Sequence, residues 1–203
     1  MLDMTTTPLT IALIGAGGRG HGFAAMLERS FPHLARITAV AEPRDEYRQD
    51  IVSMWNLPAS HVFSDWRELV ARPKLADAVI IATPDREHAG PAVACLDQGC
   101  HLFLEKPMAI SLADCEAIAA AAARANAVTT VCHSLRYNKG KSLFADIVRS
   151  GRIGRLITLD QIEQVAWWHQ AHSFVRGNWR NSKEHTFMLM AKSCHDIDYI
   201  ASL

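Results

Sequence analysis

The sequence has no Cys-x-x-Cys pair, and its cysteine count is odd: five, at 95, 100, 115, 132 and 194. A disulfide framework is therefore not expected, and the compartment expected is a reducing cytoplasm. No excess of either charge is present, with 21 Lys and Arg against 21 Asp and Glu. The charge balance thus predicts neither a nucleic-acid partner nor attraction to an anionic membrane. Long apolar runs are missing too. Stretches such as Ala78–Ala82 are far shorter than a bilayer span requires, so no membrane segment is expected. The opening MLDMTTTP has neither a basic start nor an apolar stretch, and it reads as a frayed tail rather than a secretory signal.

What is present is apolar content and alternation. Apolar residues make up 49% of the 203 positions, enough for one large domain plus part of a second. Short apolar runs read as buried parallel strands: Thr10–Ile14, Arg36–Ala41, Ala76–Ala82, His101–Leu104 and Val128–His133. Helical patterns stand between them at Gly20–Ser30, Asp45–Trp55, a short one after Ser64-Asp65, Glu87–Gln98, and Ser111 to about Arg124. This alternation predicts an α/β fold with a doubly wound parallel Rossmann sheet over residues 1–133. Residues 134–203 read differently, as the start of a second α+β domain. There a helix is expected at Lys141–Ser150 and a strand of a separate, incomplete, mostly antiparallel sheet at Leu156–Val165. A Trp- and His-rich irregular stretch follows over 166–185, then a helix from Thr186.

The motif that carries chemistry first is Gly15-Ala16-Gly17-Gly18-Arg19-Gly20, a G-x-G-x-x-G between a predicted strand and a predicted helix. The first glycine permits a sharp turn, the second close approach of backbone to a pyrophosphate, the third close packing of helix on strand. The helix N-terminus then presents unpaired N–H groups to phosphate. The next strand ends at Glu42, about where an acidic residue would accept from the ribose hydroxyls and favour NAD. Arg44 and Arg19 are close enough in sequence to hold the extra phosphate of NADP instead. Glu42 can also be an ordinary turn residue.

Further motifs bring a resemblance. Ala82-Thr83-Pro84 is followed by His88. Glu105-Lys106-Pro107 comes directly after the HLFL strand. Leu135-Arg136-Tyr137 lies past the last strand, and His195-Asp196-Ile197-Asp198 forms an H-x-x-D pattern. Together with the glycine loop, in this order, they resemble the Gfo/Idh/MocA oxidoreductases, the relatives of glucose–fructose oxidoreductase and inositol dehydrogenase. The resemblance implies a cofactor groove lined by Gly15, Gly17, Gly18, Arg19, Gly20, Glu42, Thr83, Pro84, His88, Glu105 and Lys106. It implies Lys106 beside the nicotinamide, bonding the substrate hydroxyl, with a cis bond to Pro107, and His195 as general acid/base. Each has a plainer alternative: a surface lysine after a strand, and a helix histidine packed in a core.

Two positions depart from the family pattern. Ala191 stands where many members carry aspartate four residues before the histidine, and Asn138 stands where a proline is usual. Lys192 either takes over a substrate contact or faces solvent. Arg136, Trp168 and His172 are the other candidate substrate residues. Tryptophan faces stack on sugar C–H groups and histidines bond hydroxyls; the same segment could be a packed loop or a subunit contact. His169 and His172, with His185, lack a cysteine or carboxylate at ligand spacing, so no metal site is expected.

The expected function is hydride transfer between NAD, or NADP, and a hydroxyl carbon of a sugar, polyol or cyclitol. A redox-neutral NAD-dependent glycosidase and a non-catalytic NAD(P)-binding regulator are the alternatives. The family's second domain is a broad sheet, implying a homo-oligomer in the full-length form. Only one strand and one helix of it are expected here, so the chain reads as truncated, binding cofactor with weak or absent turnover.

Overall fold

The computed structural model describes residues 7–181 and 186–203. The expected N-terminal tail, through residue 6, and His185 lie outside them. The chain divides into two compact units, the first ending at Val131 and the second running from Cys132 to Leu203.

The first unit holds six parallel strands: β1 Leu9–Ile14, β2 Ala35–Ala41, β3 Val62–Phe63, β4 Ala78–Ile81, β5 His101–Leu104 and β6 Thr129–Val131. Their order is β3-β2-β1-β4-β5-β6, the doubly wound arrangement expected. The helices are α1 Gly18–Ser30, α2 Asp45–Trp55, α3 Trp66–Val70, α4 Ala89–Asp97 and α5 Leu112–Ala125. Alternation along β1 explains why both faces must be covered. Ile11 and Leu13 pack with Ile37, Val40 and Ile51 on one side. Ala12 and Ile14 pack with Val79, Ile81, Leu96, Leu104 and Ile118 on the other. Asp65 and Ser111 cap α3 and α5, accepting from the N–H groups of Arg67 at 2.8 Å and Asp114 at 3.1 Å. Strand β3 is absent from the sequence reading. Two residues carry no periodicity, and the strand exists only because Val40 and Ala41 offer it a ladder.

The second unit contains α6 Lys139–Arg149, α7 Trp167–Gln170 and α8 Met188–Ala201. Asn138, where the family pattern has proline, caps α6: its Oδ1 accepts from the N–H groups of Gly140 at 3.0 Å and Lys141 at 3.2 Å. The strand expected at Leu156–Val165 does not form. A strand needs a ladder partner, and among the described residues this unit has none. Side chains fasten the segment instead. Lys141 Nζ donates to Gln161 Oε1 at 2.6 Å, and Gln161 Nε2 donates to Asp196 Oδ1 at 2.8 Å. The stretch expected to be irregular is partly helical: α7 continues into a π-helical turn at Ala171–Val175.

Candidate functional site

The C-terminal ends of β1, β2, β4 and β5 carry the glycine loop, Glu42, Thr83-Pro84 and Glu105-Lys106 respectively. The strand order reverses between β1 and β4, so these segments surround the crevice where such sheets take their ligands.

The loop's glycines divide into two kinds. Gly15 has φ +86°, and a Cβ on it would stand 2.8 Å from the backbone of Ala82 and Thr83. A Cβ on Gly20 would stand 1.9 Å from the Gly15 carbonyl oxygen. These two glycines let α1 and β4 close on the turn. Gly18 is different: no atom lies within 4 Å of the position its Cβ would take. Gly17, its neighbour, begins α1 with no side-chain cap, and the first turn has no acidic residue. The first turn of this 13-residue helix therefore has no side-chain cap at the positive end of the helix dipole, and room beside Gly18. A pyrophosphate fits this donor set.

Glu42 is placed where expected but turned inward, 2% exposed. Its Oε2 accepts from the Ala16 N–H at 2.8 Å, and its Oε1 from Arg44 Nε at 2.7 Å and the Arg44 N–H at 3.1 Å. Burial pushes this carboxyl up, but the hydrogen bonds from Arg44 and Ala16 outweigh it and hold the group below its ordinary value. Both oxygens accept from the loop or from Arg44. The Arg44 guanidinium, over the Tyr47 ring at 4.1 Å, is the half-exposed group at this edge, 3.2 Å from where a Gly17 Cβ would be.

Glu105 is buried and joins two predicted residues. Arg19 Nε and Nη2 approach its Oε1 at 2.7 and 2.6 Å, and the Lys106 N–H donates to its Oε2 at 2.9 Å. The pyrophosphate loop and the Lys106 segment are thus latched together. The Lys106–Pro107 peptide is cis. His88 is 1% exposed. Its Nδ1 lies 2.8 Å from the Pro107 carbonyl oxygen and its Nε2 3.1 Å from that of Thr83, so it braces the β4 and β5 loops. Thr83 is half-buried and Pro84 exposed.

In the second unit, His195 lies on α8 with its ring 5.8 Å from that of His133, edge to face. Arg136, a candidate substrate residue, grips Asp198 through two bonds of 2.6 Å. Trp168 and His172 are exposed on the α7 and π-helical turns, Lys192 is half-buried and Ala191 buried. His133 and Asp198 were not singled out as site residues from sequence. The H-x-x-D spacing on a helix, which puts His195 and Asp198 on one face, was the available signal.

The family profile of the Gfo/Idh/MocA proteins, described as an oxidoreductase family with an NAD-binding Rossmann fold, matches residues 9–133. The chain belongs to this family, and its first unit is an NAD-binding Rossmann domain. Over 194 residues it is 27% identical to 4-carboxy-2-hydroxymuconate-6-semialdehyde dehydrogenase of Sphingobium sp., covering 95% of this chain and 58% of that protein. Over 143 residues it is 34% identical to 1-carboxy-3-chloro-3,4-dihydroxycyclo hexa-1,5-diene dehydrogenase of Comamonas testosteroni, covering 70% and 36%. Scyllo-inositol dehydrogenase from Lactobacillus casei, solved with NAD(H) and scyllo-inositol, superimposes with a TM-score of 0.80 at 22% identity, over 97% of this chain and 56% of that one. The chain therefore spans between about a third and three fifths of the length of these proteins. No helix among the described residues is long and apolar enough to cross a membrane.

Proposed function

We propose that the protein is an NAD-dependent dehydrogenase acting on a hydroxyl-bearing carbon of a sugar, polyol or cyclitol, in a reducing cytoplasm. The observation that carries the reading is the Arg19–Glu105–Lys106 arrangement. It couples the loop that holds a dinucleotide pyrophosphate to a lysine suited to an alcohol oxygen.

When bound, the nicotinamide supplies the hydride acceptor. The first-turn N–H groups of α1 and the glycine loop would hold its phosphates. Lys106, as an ammonium, donates to the substrate oxygen and stabilises the negative charge that develops there. His195 takes the hydroxyl proton. Trp168, His172 and Lys192 offer an apolar face and hydrogen-bonding groups for a polyhydroxylated ring. Arg44 allows NADP as a second cofactor, since its guanidinium is the exposed cation at the ribose edge. The protein would act as a homo-oligomer, with the second unit contributing to substrate binding and assembly.

The test is a panel of inositols, aldoses and hexitols assayed for NADH formation, with K106A and H195A as controls. Substrate-dependent NADH that falls about 10²–10⁴-fold in either variant is the result expected. Glycoside cleavage without net NADH would replace this reading with a redox-neutral glycosidase. Nucleotide binding with no turnover of any substrate, unaffected by both variants, would replace it with a non-catalytic NAD-binding protein.

A further inference from the structure

The carboxylate of Glu42, at the end of β2, has its hydrogen-bonding capacity filled by its own chain. A carboxylate offers about four acceptor positions, two on each oxygen. Oε2 accepts from the Ala16 N–H at 2.8 Å and from Arg44 Nη2 at 3.0 Å. Oε1 accepts from the Arg44 N–H at 3.1 Å and from Arg44 Nε at 2.7 Å. The side chain is 2% exposed, so water has little access to it. The Arg44 guanidinium is the opposite case. Its side chain is 54% exposed. Glu42 takes one N–H from Nε and one from Nη2, and the remaining donors, those on Nη1 included, have no acceptor among the described residues. Two neighbours fix where the group stands. The Tyr47 ring lies 4.1 Å from it, and its Nη2 is 3.2 Å from where a Cβ on Gly17, the residue before α1, would be. Arg48 of α2 donates to the Glu42 carbonyl and to Asp45, which ties down the turn between β2 and α2.

We infer that Arg44, and not Glu42, reads the 2′ position of the adenosine ribose, with Glu42 as its positioning residue, so that the chain takes NAD and NADP with similar affinity. The inference deepens the cofactor reading proposed above and rests on it. An acidic residue at this place selects NAD in two ways. It accepts from the ribose hydroxyls, and its charge repels a 2′-phosphate. The first needs open acceptor positions and the second an unmatched charge. Glu42 has neither: its four positions are taken, and a guanidinium bonded at two points matches its charge. What faces outward is a planar donor fork, which suits phosphate oxygens and also donates to a hydroxyl. Because Glu42 already balances that cation, the edge neither repels a phosphate nor favours one strongly. The chelate also restricts a long, flexible side chain before any cofactor arrives, which lowers the ordering cost of binding. Removing the guanidinium returns two acceptor positions and an unmatched charge to Glu42, and the edge then selects NAD.

The experiment is calorimetric titration of the 203-residue chain with NAD and with NADP, for the wild type, R44A, R44Q and the double variant E42Q/R44A. The wild type should bind the two dinucleotides with Kd values within about tenfold of each other. R44A should move that ratio towards NAD by about tenfold or more, NADP losing affinity while NAD keeps or gains it. In E42Q/R44A the ratio should return to within about tenfold, because the charge that R44A unmasks is gone. A purely structural role for the pair would weaken both dinucleotides alike and leave the ratio where it was. If R44A does not fold, R44Q decides, since its amide keeps one hydrogen bond for the buried carboxylate: a ratio moved towards NAD supports the inference. A ratio unmoved by the substitutions at Arg44 overturns it. So does a wild type that prefers NAD by about a hundredfold or more, or a native chain that takes up neither dinucleotide. The two readings fail separately. The expected shift, with no alcohol yielding NADH, removes the dehydrogenase and leaves the pair. NADH formation lost in K106A, with a ratio indifferent to Arg44, removes the pair and leaves the dehydrogenase.

Discussion

Glu42 and Arg44, two residues apart at the end of β2, form a chelate: Arg44 Nε donates to Glu42 Oε1 at 2.7 Å and Arg44 Nη2 to Oε2 at 3.0 Å. The carboxylate is buried and the guanidinium is half-exposed. A hydrogen bond to a charged group contributes roughly 1.5–3 kcal/mol, so if the exposed guanidinium of this pair holds a 2′-phosphate, removing it should be visible in cofactor choice. R44A is expected to weaken NADP roughly tenfold or more while changing NAD far less. Calorimetric titration with both dinucleotides checks it, and equal loss for both would show that Arg44 does not read the 2′ position.

The same carboxylate predicts a pH dependence. Its folded-state value is depressed, so its contribution to stability is present above the unfolded value and fades as pH falls through the folded one. The wild type should lose more stability than E42Q as pH drops below 4.5, the ordinary value for this group. Thermal unfolding of both proteins between pH 7 and pH 3 measures it. Parallel curves would mean that the Ala16 and Arg44 bonds do not favour the ionised form.

The two kinds of glycine should separate by mutation. G20A drives a methyl group into the Gly15 carbonyl and should destabilise by about 1–3 kcal/mol or more. That corresponds to roughly 2–4 °C in Tm for each kcal/mol at this chain length. G18A meets open space and should leave Tm unchanged or slightly raised, since alanine favours helix over glycine. It should nonetheless weaken NAD if the open space beside Gly18, at the N-terminus of α1, takes the pyrophosphate of the proposed cofactor. Calorimetry of folding and of binding on the two variants separates these effects.

The Arg19–Glu105 bridge should matter more to binding than to folding. Arg19 is 64% exposed, and bridges with a wet partner contribute about 0–1 kcal/mol. A double-mutant cycle with R19Q and E105Q should give a coupling in stability below about 1 kcal/mol. E105Q should also reduce turnover, since Glu105 holds the Lys106 N–H. A large coupling in stability with unchanged NAD affinity would assign the bridge to the fold alone.

Burial pushes the Cys95 thiol up to about 12, with the nearby Cys100 adding to it. Thiolate is the reactive form. Cys95 should therefore resist maleimide or disulfide reagents at pH 8 in the native chain and react once it is denatured. Mass mapping of the modified peptides reads this directly. Fast native labelling of Cys95 would mean that the β4–α4–β5 layer opens readily.

The Rossmann half was legible because its signals are local. Each buried strand is a short apolar run, and each helix has a cap or a breaker within a few residues, as at Asp65, Ser111 and Gly99. The glycine loop is informative because it stands between a strand and a helix, where its glycines meet the turn and the close packing. Strand β3 and the expected Leu156–Val165 strand failed for one shared reason: strand formation is settled by a partner elsewhere. Val62–Phe63 has that partner in β2. Residues 156–165 have Gln161 between Lys141 and Asp196 instead.

The chain's own order of residues determined the fold class, the NAD-binding loop, and Lys106 and His195 as the residues to watch, since those rest on spacing along one chain. Tertiary structure alone decided what each polar group does. Only in three dimensions does Glu42 turn inward to Ala16 and Arg44, His88 retreat to brace two loops, and Asp198 gather Arg136 and His133 from 60 or more positions away. Burial and hydrogen-bond partners are properties of that assembly. They set which carboxylates stay ionised, and no local pattern contains them.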